Sequence, residues 1–168
     1  GIPLVRSMRH NLKVDKIVVE GPGVVSVIMR GRNLHKLAAE GGMFFSWRFF
    51  ARGHFLMSHP YSLSAAPTEH FLRITVKDLG DHSRSLAFLK RNTRVFVEGP
   101  YGAFTAGRST RPHIVLIGGG VGITPVRALM DEFKDGVELD LIYRVSRDED
   151  LVLREELDYL AYHSGGTI

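Results

Sequence analysis

His113-Ile114-Val115-Leu116-Ile117-Gly118-Gly119-Gly120-Val121-Gly122-Ile123-Thr124-Pro125 runs from a short apolar segment through glycines into a helical stretch. An apolar run of this length, closed by glycine, is what a buried parallel strand requires. The helical pattern covers Thr124–Phe133, and a second strand, Glu138–Tyr143, and a second helix, Glu149–Tyr162, follow it. Strand–helix–strand–helix order is the grammar of a doubly wound parallel α/β sheet. Only two strands of such a sheet are present, so the chain is expected to stop before this unit is complete.

Upstream of Arg108-Ser109-Thr110-Arg111-Pro112 the pattern is different. Segments Asn11–Glu20, Val24–Gly31, Met43–Phe49, Met57–Ser64, Phe71–Lys77 and Arg94–Glu98 are rich in Val, Ile, Phe and Tyr. Punctuation such as Gly21-Pro22-Gly23 and Gly41-Gly42 separates them. Six short strands at this spacing predict an antiparallel barrel. One helical pattern interrupts them over Ser83–Lys90, with Leu86 and Leu89 on one side and Asp81 as N-cap. The expected division is therefore a barrel domain over residues 1–109 and the first part of an α/β domain over 110–168.

At 168 residues the chain falls between one domain and two, and 44% hydrophobic with 24% charged residues is a globular balance. No run of about 18 apolar residues occurs, so no transmembrane helix is expected. Gly1 is not an initiator Met and Arg6 and Arg9 flank no long apolar core, so the chain reads as a piece of something longer. Cysteine is absent, which excludes disulfides, thiolate metal sites and cysteine nucleophiles and fits a reducing compartment. No metal site is expected. The net charge of +4 comes from Lys and Arg scattered singly, without the basic and aromatic run that nucleic-acid binding needs.

Three segments carry possible chemistry. The glycines at 118–122 let a backbone approach a pyrophosphate, and the helix start beyond them offers N–H groups and a positive dipole end. Pro125 suits the first helical turn, where a missing N–H costs nothing. Taken alone, the same loop is equally a tight strand-to-helix turn without a ligand. His59-Pro60-Tyr61-Ser62-Leu63-Ser64-Ala65-Ala66-Pro67 sets an aromatic ring beside small hydroxyls, with Tyr61 and Leu63 on one face and Ser62 and Ser64 on the other. That suits a flat heterocycle, stacked on one side and hydrogen-bonded at an edge, or else an ordinary barrel strand with a core tyrosine. Lys77-Asp78-Leu79-Gly80-Asp81-His82-Ser83-Arg84-Ser85-Leu86 runs from a strand end through a glycine into a helix start. It fits a diphosphate, or a simple capped helix in which Asp81 would repel one.

In this order the segments resemble the ferredoxin–NADP reductase superfamily, nearest its ferric reductase and NADPH oxidase branch. The series reads His59-Pro60-Tyr61-Ser62, Gly80-Asp81-His82-Ser83, Gly99-Pro100-Tyr101-Gly102 and Gly118 to Pro125, and the match runs from about His10 onward. The resemblance implies a six-stranded antiparallel Greek-key β-barrel that binds FAD, followed by a truncated doubly wound parallel α/β nucleotide-binding domain. It implies that Tyr61 stacks on the isoalloxazine and that Ser62, the one residue with a direct catalytic role, lies near flavin N5. His59 stands where the superfamily has Arg and, with Pro60, lies towards the phosphates or ribityl chain. A histidine there makes phosphate contact depend on protonation. Gly80, His82 and Ser83 would hold the pyrophosphate, and Lys77 would add positive charge. Gly119, Gly120, Gly122, Thr124 and Pro125 would form the nicotinamide-dinucleotide loop. Arg144, Ser146 and Arg147 fall where the superfamily meets the adenosine 2′-phosphate, which favours NADPH over NADH.

The superfamily's Cys-Gly-Pro motif is missing, so the 168 residues are expected to bind FAD better than NADPH. Phe44 to Met57 is dense in aromatics: Phe45, Trp47 and Phe49 read as barrel core. Phe50, Phe55 and Leu56, bordered by Arg48 and Arg52, read as a loop for a membrane or subunit surface. The implied function is an NAD(P)H-dependent FAD oxidoreductase module passing electrons to a one-electron acceptor. That acceptor would be a transmembrane haem domain preceding Gly1, with this portion on the cytoplasmic face of the membrane. The rivals are a soluble reductase component serving an iron–sulfur protein of an oxygenase, and a non-enzymatic flavin- or nucleotide-sensing module.

Overall fold

The computed structural model describes residues 9–51, 57–77, 84–133 and 135–168. Strands β1 (Lys13–Gly21), β2 (Val24–Arg30), β3 (Phe44–Phe49), β4 (His59–Ser62), β5 (Phe71–Lys77) and β6 (Val95–Tyr101) form the first part. They make two antiparallel sheets, ordered β1-β2-β5 and β4-β3-β6. Two bridges close them on each other, Lys13 with Arg94 and Leu63 with Ile74, so the order around the barrel is 1-2-5-4-3-6. Backbone bonds from Val14 N to Thr93 O (2.9 Å) and from Ser64 N to Arg73 O (2.9 Å) reinforce the two closures.

Alternation explains the interior. In β3, Phe45, Trp47 and Phe49 are buried while Phe44, Ser46 and Arg48 face out. β5 contributes Leu72, Ile74 and Val76, and β2 contributes Val27 and Met29, to the same cluster. Burying each such side chain is worth roughly 1.5–3 kcal/mol, so this cluster dominates the barrel's stability. β2 departs from alternation at its start, where Val24 and Ser26 are also buried. The outer face there is covered by the second half of the chain: Val24 packs in a cluster with Leu116, Val126 and Val152.

That second half is built from β7 (His113–Gly119), α1 (Ile123–Met130), β8 (Glu138–Arg144) and α2 (Arg154–Ser164). β7 and β8 are parallel, with His113 opposite Glu138 and Gly119 opposite Arg144. Leu116, Leu139 and Leu141 face the helices and bury against Val126, Leu129, Leu157 and Ala161. On the opposite face Val115, Ile117 and Ile142 are 60%, 70% and 56% exposed. Residues 164–167 return along β8, where Leu141 N donates to Thr167 O at 2.8 Å and Leu139 N to Ser164 Oγ at 3.2 Å.

Three helical expectations are shortened, and the one over Thr124–Phe133 is α1, which ends at Met130. The pattern over Ser83–Lys90 gives a helical turn ending in Leu86–Phe88, with Leu86 and Leu89 buried as expected; Asp81 and Ser83 lie outside the described residues. The helix expected over Glu149–Tyr162 begins only at Arg154. Asp148–Asp150 instead forms a separate 3-10 turn whose carbonyl at Asp150 accepts from the Tyr143 hydroxyl (3.2 Å). Val152 and Leu153 then drop into the core, Leu153 at a left-handed φ of 59°. Tertiary bonds to that turn outweigh the helical periodicity of the segment.

Candidate functional site

β4 is an edge strand. It pairs with β3, placing Phe44 opposite Ser62, Phe45 opposite Tyr61 and Trp47 opposite His59. Among the described residues its one bridge towards β5 is at Leu63, beyond the strand's end. Tyr61 shares the inward face with Phe45 and is half-buried against the core. Burial raises its phenol pKa, which keeps the ring neutral. Its carbonyl accepts from Trp47 Nε1–H at 2.9 Å, which fixes the strand at this residue. The His59 ring lies nearly parallel to the Tyr61 ring, centroids 6.3 Å apart at 20°. Pro60 is exposed between them, and the half-buried Ser62 hydroxyl makes no hydrogen bond to any described residue.

Ser64 is on the face expected of it, opposite the core residue Leu63, but the second half of the chain covers it there. It is fully buried, accepting from Thr75 Oγ1 (2.8 Å) and from Arg73 Nε (3.1 Å). Lys77 ends β5, and its ammonium pairs with Asp150 at 2.9 Å. Gly80, His82 and Ser83 lie outside the described residues, as do Arg52, Phe55 and Leu56. Phe50, next to that second gap, is 53% exposed and meets Phe96 edge-on at 6.1 Å.

The glycine loop leaves β7 and turns through Gly120–Gly122 into α1. Gly120 has φ 50°, a left-handed conformation that glycine adopts without penalty. A Cβ added at Gly119, Gly120 or Gly122 would meet nothing within 4 Å, so the surface of the loop is open. No side chain caps the N-terminus of α1, and its Ile123 N–H bonds back to the Gly120 and Val121 carbonyls of the turn. Thr124 is buried against the second core, and Pro125 sits in the first helical turn. The Gly120–Gly122 turn lies against β5.

At the end of β8 and just after it, Arg144, Ser146 and Arg147 are all exposed. Arg147 is engaged by Glu149 (2.8 Å) and Asp150 (3.3 Å), whereas Arg144 forms no ion pair with a described residue. Sequence reading missed a set of charged residues between the halves: Arg73 on β5, Arg127 and Asp131 at α1, and Glu156 on α2. The one local signal was an arginine between the apolar residues Leu72 and Ile74 of the strand Phe71–Lys77.

Residues 9–105 match a family described as an FAD-binding domain, and residues 116–167 match the oxidoreductase NAD-binding domain. NADH-cytochrome b5 reductase 1 of Cryptococcus neoformans is 34% identical over 102 residues, covering 58% of this chain and 35% of that protein. NADPH oxidase 1 of Mus musculus is 32% identical over 81 residues, 45% of this chain and 14% of that protein. The cytochrome b5 reductase domain of Ulva prolifera nitrate reductase superposes with a TM-score of 0.76 at 22% identity, over 99% of this chain and 74% of that one. The chain spans about a third of the length of the cytochrome b5 reductases it matches.

Proposed function

The chain belongs to the FAD-binding domain family of the ferredoxin–NADP reductase superfamily, and from that premise we propose that it is the flavin-carrying part of an NAD(P)H-dependent electron-transfer oxidoreductase. The observation that carries this reading is a half-buried neutral Tyr61 next to a Ser62 hydroxyl that no described residue engages, on a strand bridged to β5, against which the glycine turn lies. These groups fit FAD, an amphipathic ring system that needs one stacked face and polar edge contacts. When bound, FAD accepts hydride from the nicotinamide and releases electrons singly.

In this reading Tyr61 packs one face of the ring and excludes water from it. Ser62 donates its hydroxyl at the reactive edge, and His59 and Pro60 border the side chain of the cofactor. Gly80, His82 and Ser83 take the diphosphate, as the motif series implies. Gly119, Gly120, Gly122 and the first turn at Thr124 and Pro125 receive the nucleotide pyrophosphate, supported by the open loop surface. The buried Thr124 side chain serves packing there, and the backbone supplies the contacts. Lys77 acts on the cofactor only at long range, since Asp150 holds its ammonium. Of the cations at the end of β8 and just after it, Arg144 rather than Arg147 is available to a 2′-phosphate, and on that ground NADPH is the proposed donor. We divide the chain at residues 109 and 110, supported by the two hydrophobic clusters.

For the acceptor we infer a haem domain at a membrane whose cytoplasmic face this portion occupies. The exposed Phe50 beside Phe96 and the similarity to an NADPH oxidase support it. No helix among the described residues is long and apolar enough to cross a membrane, so the haem domain would be a separate unit. The cytochrome b5 reductase similarity supports a second reading, a soluble haem protein as acceptor. Titrating the purified protein with FAD and with FMN, followed by its visible spectrum, tests the central claim; binding of neither would overturn it. Reduction of a haem acceptor by the Phe50→Ser variant at an unchanged rate would remove the docking role of that surface.

A further inference from the structure

Arg73 projects from β5 with only 15% of its side chain exposed, so its charge has to be answered locally. Nη1 and Nη2 donate to the two carboxylate oxygens of Glu156, each at 2.9 Å, in the two-pronged geometry that guanidinium and carboxylate share. Nη2 also donates to the Ser64 carbonyl at 2.6 Å. Glu156 Oε2 accepts a further bond from Arg127 Nε at 2.6 Å. Arg127 pairs in turn with Asp131, whose Oδ2 accepts from the Ala66 amide at 2.9 Å. The bonds therefore form a ring that starts at Ser64 and returns to Ala66, two residues further along the same segment. Beneath it, Ser64 Oγ accepts from Thr75, which bonds Ser26 at 2.7 Å, so the ring stands on buried hydroxyls of the barrel.

This ring joins two places where the proposed chemistry depends on placement. Ser64–Ala66 follows Tyr61-Ser62 after the single residue Leu63, and Arg127 lies on the helix that begins at the glycine loop. The ring carries two arginines and two carboxylates, so it has no net charge to attract either cofactor. Partly buried ion pairs of this kind add little to stability compared with apolar packing, but they tolerate few geometries. Hydride transfer is correspondingly sensitive to geometry: a misplacement of about 1 Å can cost on the order of a hundredfold in rate.

We propose that Glu156 is a positioning residue: held between Arg73 of the barrel and Arg127 of α1, it sets where the nicotinamide loop stands relative to the flavin strand. The proposal rests on the functional reading above. In Glu156→Gln the flavin content and spectrum stay unchanged, while the rate of flavin reduction at saturating NADPH or NADH falls about ten- to a hundredfold. The KM for nucleotide moves less than about threefold, and Glu156→Asp recovers part of the rate. A purely structural role would lower the melting temperature without touching the saturated rate at a temperature where both proteins are folded; that result overturns the proposal.

A second measurement works without the chemistry. Spin labels at Glu69→Cys on the barrel and Tyr159→Cys on α2, both exposed positions, report the spacing of the halves. We expect one narrow distance distribution with Glu156 present and a shifted or broadened one in Glu156→Gln, and an unchanged distribution overturns the proposal. If the unaltered protein shows no NAD(P)H-dependent flavin reduction, the functional reading fails while the distance measurement still decides the role of the ring.

Discussion

Ser62 makes a sharp expectation because nothing described engages its hydroxyl. Replacing it with Ala removes one neutral hydrogen bond, worth roughly 1 kcal/mol in net terms, so flavin reduction should slow by about fivefold with FAD still bound. Stopped-flow reduction at saturating nucleotide measures this, and a wild-type rate in Ser62→Ala would remove the residue from the chemistry. Arg144→Ala should raise the KM for NADPH by about ten- to a hundredfold and leave NADH unaffected, since a bond to a charged group is worth roughly 1.5–3 kcal/mol. Equal effects on both nucleotides would mean that Arg144 is ordinary surface. Tyr61 and Ser62 stand out as candidates in the sequence because their residue types suit the chemistry proposed for them. Glu156 does not: its partner Arg73 lies 83 positions away, and nothing local to either residue announces the other.

The strands were legible to within about two residues, because alternation and glycine punctuation are local signals. β5 coincides with its expected bounds, and Phe45, Trp47 and Phe49 are the buried face of β3 as read. The helices were less so. Asp148–Asp150 has helix-compatible composition, but Lys77 and Arg147 take its Asp150 carboxylate and Tyr143 takes its carbonyl, which fixes a turn instead. Gly41 was read as punctuation and also has a packing role. Its amide donates to Glu132 Oε1 at 2.8 Å, and a Cβ there would lie 2.1 Å from the Ala128 carbonyl oxygen of α1. Gly41→Ala should therefore push α1 from the loop preceding β3 and cost about 1–3 kcal/mol. Denaturant titration measures the loss, and a change under about 0.5 kcal/mol would mean that the loop and helix separate freely.

At the scale of the whole molecule, the barrel and the α/β half were legible as two patterns, but their docking was not, because it depends on pairs that meet only after both have formed. Two ion pairs cross this interface among the described residues, Arg73–Glu156 and Lys77–Asp150, and both should make it sensitive to acid. Burial alone would raise the Glu156 pKa, but the hydrogen bonds and charges of Arg73 and Arg127 outweigh it and hold the carboxyl below its ordinary value. Hydrogen bonds from Lys77 and Arg147 likewise lower Asp150. Asp131 and Glu149 are the other carboxylates in these clusters, each paired to one of the same arginines. With both folded values below the unfolded ones, roughly 4.3 for Glu and 3.9 for Asp, the stabilisation is complete above about pH 4.3. It is lost as the pH falls through the lowered folded values. The interface should thus open at a higher pH than the barrel unfolds, whose core cluster is apolar. Hydrogen exchange, corrected for its intrinsic pH dependence, reads this directly: the Ala66 amide donates across the interface to Asp131, while Ile74 lies opposite Val27 within the barrel sheet. Protection at Ala66 should fail first on acidification. Simultaneous loss at both would mean that the halves unfold as one unit and that the crossing ion pairs set no separate step.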